Sequence, residues 1–259
     1  MNTALTIAGS DCSGGAGIQA DIKTMTANKV YGMSVITSVT VQNTLGVSGV
    51  YDMSPNCVCE QLDAVFTDIF PDSVKIGMVS NIELIKVISK RLQYYKAKNI
   101  VLDPVMVSTS GHKLLEDDAV EALISKMFPL ADIITPNIPE AQALTGLSIN
   151  NTHDMLIAAE TLSAKFNTRV LLKGGHLSQN GSDLLYENNS AIWFNSKHID
   201  NPNTHGTGCT LSSAIASGLA KGMDMYNAVK YAKNYISGAL EAMMNIGHGN
   251  GPVNHMWNL

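Results

Sequence analysis

The residues best suited to chemistry lie where glycines, a thiol and a helix start coincide. Asn203-Thr204-His205-Gly206-Thr207-Gly208-Cys209 runs directly into TLSSAIASGLAKG, whose small residues and helical period predict a helix opening at Thr207. The first N–H groups of a helix have no partner within it. Glycines let a ligand approach them closely, so the construction suits an anion. Cys209 falls in the first turn, where the same field is expected to lower a thiol from about 8.5 towards neutral and fit it to act as base or nucleophile. The plain alternative is a Gly-Thr-Gly helix cap followed by a small buried cysteine.

A second glycine cluster, GSDCSGGAGIQAD, follows the first apolar run. Gly15 to Ala20 matches G-x-G-x-x-A in form, but no Asp or Glu lies between Asp21 and Asp52 to take a ribose hydroxyl, which argues against a nicotinamide dinucleotide. A ligand-facing loop and a simple tight turn both remain open. The chain has no G-x-x-x-x-G-K-[ST], so any phosphate binding is not of the Walker type.

The elements that must position these residues alternate. ALTIAG, SVITSVTV, VKIG, NIVLD, DIITP and RVLLKG are short β-branched runs. Between them, helical periods are expected at 18–28, 56–67, 82–95, 117–127, 139–145 and 153–166. This rhythm predicts an α/β fold with a mostly parallel sheet and helices on both faces. SDLLYENNSAIWF reads as an antiparallel hairpin at the sheet edge, turning at Glu187 to Ser190. Helices over 207–221 and 225–246 close the chain, and no linker or repeat interrupts a single domain over 1–259. In such sheets ligands bind beyond the carboxyl ends of the strands.

Composition narrows the partners. With a net charge of −5 and 17 basic residues spread along the chain, the sequence offers no basic surface for nucleic acid or an anionic membrane. Its longest uncharged stretch, 204–220, is short of a membrane span and rich in Gly, Ser and Thr. The start, MNTALTIAGSD, lacks a basic region before its apolar run, so a signal peptide is not expected and the placement reads as cytoplasmic. Cysteines at 12, 57, 59 and 209 do not have zinc spacing and read as reduced thiols.

Five motifs in order, GSDCSGGAGIQAD, LDPVM, TPNIPEA, KGGH and NTHGTGCT, resemble the hydroxymethylpyrimidine and phosphomethylpyrimidine kinases of the ribokinase superfamily, with similarity running from Ala4 to Gly251. The resemblance implies a three-layer ribokinase-like fold, ATP and Mg²⁺ as cofactors, a small aminopyrimidine alcohol or its phosphate as acceptor, and a homodimer. It implies that Gly206, Thr207 and Gly208 form an anion hole and that Cys209 stands where the wider superfamily carries an aspartate base. Asn137 and Glu140 look like the N-x-x-E segment whose Glu orders Mg²⁺ and its waters. Asp103 is a second carboxylate on that rim, and Lys173 can reach ATP phosphates as a point charge. Helix capping is the ordinary reading of Asn137 and Glu140, and a solvated lysine that of Lys173. Neither His176 nor His205 is assigned a proton-transfer role.

Gly9, Ala16, Asp21, Gln42, Met78 and Val105 match family positions lining the pyrimidine pocket. Gln42 carries the information, because its carboxamide places a donor beside an acceptor and so complements a ring nitrogen and its neighbouring amino group. A pyridoxal kinase of the same branch is the nearest alternative. A cysteine hydrolase built on Cys209 and a histidine, and a catalytically silent sensor on the same fold, are the others.

Overall fold

The computed structural model describes residues 1–106, 117–175, 182–195 and 199–259. His176 of the KGGH motif lies outside the described residues. Among the described residues the strands pair into a nine-stranded sheet. β1 (Thr3–Asp11), β2 (Tyr31–Asn43), β4 (Ser73–Ile76), β5 (Ile100–Leu102), β6 (Ile133–Ile134) and β7 (Arg169–Leu172) are parallel, in the spatial order β2-β1-β4-β5-β6-β7. The chain steps from β1 to β2 on one side and returns to β4 on the other, so a crevice opens at the carboxyl end of β1.

The expected hairpin forms at the β7 edge from β8 (Asp183–Glu187) and β9 (Ser190–Phe194). Its turn residues Asn188 and Asn189 have φ of 51° and 58°, the left-handed pair that a two-residue hairpin turn requires and that asparagine tolerates. The opposite edge holds a strand not expected from the sequence: β3 (Gly46–Asp52), antiparallel to β2. Gly46 and Gly49 thin its apolar alternation, and most of its residues are exposed or half-exposed, so it carries little of the pattern that marks a buried strand.

Alternation along the strands builds two cores. Ile100, Leu102, Val170 and Leu172 face a layer made by α2 (Pro55–Asp68), α3 (Ile82–Tyr95), α4 (Asp117–Ala122), α5 (Ile138–Thr145) and α6 (Thr152–Phe166). Val101, Ile133 and Leu171 face α7 (Thr207–Ala220) and α8 (Met225–Glu241), with α1 (Gly17–Ala27) packed beside α7. Ser54, Asn81, Asn137, Asn151 and Asp224 each start a helix by accepting a backbone N–H on a side-chain oxygen.

Two helices end earlier than their sequence period suggests. The 117–127 segment is α-helical only to Ala122, then widens into a π turn over Leu123–Met127 and tightens into a 3-10 turn over Phe128–Leu130, where Pro129 has no N–H to continue the ladder. α8 stops at Glu241 rather than Ile246, with Met243 and Gly247 at positive φ. The tail then folds back under the NTHGTGC motif: Gly251 N–H donates to Asn203 Oδ1 at 3.0 Å, and His205 N–H donates to the Gly251 carbonyl at 3.1 Å.

Candidate active site

Parallel strands bring their carboxyl ends to one edge. Gln42 near the end of β2, Gly9 and Asp11 on β1, Met78 after β4, Asp103 and Val105 after β5, Asn137 after β6 and Lys173 after β7 therefore follow one another across the sheet. The start of α7 is packed against both halves of this row. Gly206 has φ of 81°, and a Cβ there would overlap the Gly15 carbonyl of the first glycine loop. A Cβ on Gly208 would stand 3.2 Å from Asp103 Oδ2 and 3.5 Å from Lys173 Nζ. The two glycine motifs, far apart in sequence, thus share one surface, with Gly206 at the α7 start set directly against Gly15.

On the β5-β7 side, Lys173 Nζ donates to Asp103 Oδ1 at 2.9 Å, and the Thr135 hydroxyl donates to the same oxygen at 2.9 Å. Lys173 is only 17% exposed, so it is not a solvated surface lysine. Burial alone would depress it, yet Asp103 and Glu140 hold it above the ordinary lysine value. Asn137 and Glu140 form a reciprocal capping box: Glu140 N–H donates to Asn137 Oδ1 at 2.9 Å, and Asn137 N–H donates to Glu140 Oε2 at 2.8 Å. The capping reading is therefore correct, and it leaves Glu140 inside the site. Burial pushes its carboxyl up to about 7, with Lys173 opposing and Asp103 adding to the rise.

At α7, Thr207 N–H is taken by the Thr204 carbonyl at 3.2 Å, so Thr207 does not contribute a free donor to an anion as expected. Among the described residues no carbonyl takes the N–H of Gly208 or Cys209. The thiol differs from expectation in its titration: burial pushes Cys209 up to about 11, with Lys75 and the Gly17 N–H opposing and Asp21 and Asp103 reinforcing the rise. The desolvation of a largely enclosed sulfur outweighs the helix start. Cys209 is thus a neutral thiol at neutral pH rather than a ready thiolate. Among the described residues His205 makes no hydrogen bond to Cys209; its Nε2 lies beside Asp11 and Gln42 instead.

Asp21 is also placed differently from its expected pocket role. It is fully buried, and its oxygens are occupied by Lys75 at 3.0 and 2.8 Å, by the Thr6 hydroxyl at 2.6 Å and by the Ser213 hydroxyl at 2.6 Å. This pair ties β1, α1, β4 and α7 together behind the site. Lys75 is itself fully buried and could not be singled out from VKIG, where lysine is the one break in an apolar run.

The other residues expected to line a pocket lie along one edge of the sheet. Gly9 is buried, and a Cβ there would meet Met78 Cε at 2.7 Å, so the two share a wall; Val105 and Ala16 are half-buried at the same edge. Asp11, which the sequence reading left without a role, organises the glycine loop. Its carboxylate accepts from Ser13 N–H at 2.9 Å, Ser13 Oγ at 2.7 Å, Gly15 N–H at 3.1 Å and Ala16 N–H at 2.8 Å, and lies 2.9 Å from His205 Nε2. Burial would raise it, but His205, the Ser13 hydroxyl and the loop N–H groups hold it down at about 2. An Asx-type turn was legible in D-C-S-G; the pairing with a histidine 194 residues away was not.

A family model described as phosphomethylpyrimidine kinase matches residues 11–254. The chain belongs to the phosphomethylpyrimidine kinase family. It is 49% identical to the hydroxymethylpyrimidine/phosphomethylpyrimidine kinase of Rhizobium meliloti, over 97% of this chain and 96% of that protein. It is 48% identical to the thiamine biosynthesis bifunctional protein ThiED of Geobacter sulfurreducens, covering 97% of this chain but spanning only 52% of that longer protein. Among solved structures, the phosphomethylpyrimidine kinase of Clostridium difficile 630 aligns with a TM-score of 0.83 at 48% identity, over 92% of this chain and 98% of that one. The ADP complex of Bacillus subtilis pyridoxal kinase aligns with a TM-score of 0.92 at 36% identity, over 98% and 97%. The fold is ribokinase-like, and membership makes the chain a phosphotransferase.

Proposed function

We propose that this chain uses ATP and Mg²⁺ to phosphorylate the hydroxymethyl group of 4-amino-5-hydroxymethyl-2-methylpyrimidine, and then its monophosphate, in thiamine biosynthesis. The observation that carries the reading is the placement of the α7 start between Asp103–Lys173 on one side and the Asp11 loop with Gln42 on the other. Phosphoryl transfer asks the protein mainly to align an alcohol and to stabilise charge on the transferred group. The free N–H groups of Gly208 and Cys209, with Gly206 shaping the turn, supply the second need, and Lys173 adds a fixed positive charge. Cys209 aligns the acceptor hydroxyl through its sulfur; it can take up the hydroxyl proton only as the thiolate, which a thiol held up at about 11 reaches only after giving its own proton to solvent.

The residues fit a Mg²⁺ that keeps its waters. Glu140 and Asp103 present hard oxygens near Lys173, while among the described residues no group of three His, Cys, Asp or Glu could hold an ion alone. Such an ion leans on phosphate oxygens and one or two carboxylates, and when bound supplies charge neutralisation. Glu140 would order it and Asp103 would hold Lys173 in place.

ADP release with hydroxymethylpyrimidine, its monophosphate and pyridoxal as acceptors tests the proposal; turnover dominated by the two pyrimidines is expected, and turnover mainly with pyridoxal overturns it. The pyridoxal reading is kept because of the close structural likeness to the Bacillus subtilis pyridoxal kinase. Four free cysteines accord with a cytoplasmic setting, and one domain over 1–259 accords with the shared sheet. The exposed apolar side chains Val39, Val41, Val50 and Tyr51 on the β2-β3 edge support a homodimer, and the net charge of −5 accords with a small-molecule partner rather than nucleic acid or membrane.

A further inference from the structure

Gln42 lies opposite a bulge in β3, where the register slips between Val41 and Gln42 and Ser48 is left unpaired. Its amide nitrogen lies 3.3 Å from His205 Nε2 and its amide oxygen 3.0 Å from Thr40 Oγ1. Proton counting does not support that arrangement at either end. Asp11 accepts from loop N–H groups and is ionised, so His205 Nε2, 2.9 Å away, must carry a proton and donate to it. A protonated Nε2 cannot also accept from an amide NH₂. At the other end the Thr40 hydroxyl lies 3.0 Å from the Ser10 carbonyl, so the Gln42 oxygen receives at best a share of its single proton. Exchanging the ends of the carboxamide removes the conflict: the oxygen faces the His205 Nε2–H and shares its one proton with Asp11 in a three-centre bond, and the NH₂ donates to Thr40 Oγ1 while Thr40 donates to Ser10.

We propose that Asp11 and His205 are positioning residues that fix the Gln42 carboxamide with its oxygen towards His205, and so set the direction in which an aminopyrimidine lies across the site. The inference rests on the aminopyrimidine reading above. With the oxygen on the His205 side, the ring's amino group must lie there and the adjacent ring nitrogen towards Thr40. The hydroxymethyl group is on the ring carbon next to the amino-bearing carbon, on the side away from that nitrogen. It is therefore carried towards His205 and the start of α7, where Cys209 stands four residues on. The opposite amide orientation would send the hydroxymethyl group towards β1 and β2. Asp11 thus acts on the reaction through a proton it never transfers, by making His205 an obligatory donor.

The test compares kcat/KM for hydroxymethylpyrimidine and for pyridoxal in wild type, His205→Leu and His205→Gln. Leucine removes the donor, and the pyrimidine-to-pyridoxal ratio should fall by about tenfold or more, because a site built to hydrogen-bond one ring edge loses its discrimination when that edge is unfixed. Glutamine can donate to Asp11 and to Gln42 from one NH₂, and should keep most of the ratio. A merely structural histidine would show both variants losing thermal stability with the ratio intact. Should His205→Leu not fold, Asp11→Asn, which lets His205 accept instead, should give the same fall. If the wild type does not turn over the pyrimidine, the functional reading fails and this one with it. If the wild type does but His205→Leu keeps the ratio within about twofold, or His205→Gln falls as far as leucine, the positioning role alone is overturned.

Discussion

Glu140→Gln separates the charge of Glu140 from its place in the helix cap. Glutamine keeps an oxygen that can accept from Asn137 N–H, the contact made by Glu140 Oε2 at 2.8 Å, so α5 stays capped. What changes is a carboxyl that burial holds at about 7. Between pH 6 and pH 8 its ionised fraction climbs from about a tenth to about nine-tenths. If the ionised form is needed to order Mg²⁺, kcat/KM for Mg-ATP should rise about tenfold over that range in wild type and stay flat in Glu140→Gln. Stability should move the other way. A carboxyl whose folded pKa is raised from 4.5 to about 7 contributes stability that is complete below 4.5 and lost as pH rises through about 7. That shift corresponds to about 3 kcal/mol, so at pH 8 the glutamine variant should be more stable than wild type by up to about that amount. Coupled ADP-release kinetics and urea melts at pH 5, 6, 7 and 8 measure both. A wild-type profile that is flat from pH 6 to 8, or a variant that melts no later than wild type at pH 8, would refute the reasoning.

Cys209→Ala should leave the KM for ATP and acceptor near wild type while turnover falls by about a hundredfold or more; near-normal turnover in steady-state assays would remove Cys209 from the reaction. Lys75→Met leaves Asp21 charged and buried without its partner, and urea unfolding should show a loss of about 3–5 kcal/mol. In Gly206→Ala a Cβ would overlap the Gly15 carbonyl at a φ of 81°, so the turn must shift. Turnover should fall by at least about tenfold while the far-UV spectrum stays native, because only the start of α7 is displaced.

Much of this protein was written in local sequence. Period and capping residues placed the helices, β-branched runs placed the parallel strands, and Asn188-Asn189 marked the hairpin turn, because each depends on neighbours within a few residues. The β3 strand was missed for the same reason: Gly46 and Gly49 blur a pattern that pairing with β2 supplies from outside. Motif order was sufficient to put Gly206, Gly208, Cys209, Glu140 and Lys173 at helix starts and strand ends, since these are local features too. It could not say what state those groups are in. The thiol is raised rather than lowered because the surroundings of Cys209 come from other segments, among them α1, β4 and β5. Asp21 became the partner of a buried lysine, and Asp11 that of His205, through contacts spanning 54 and 194 residues. Sequence alone settled which residue types stand at the rim of the sheet. Protonation, hydrogen-bond direction and which carboxylate faces a ligand were decided by the tertiary structure, because desolvation and charge pairing depend on everything packed within a few ångströms, whatever its distance along the chain.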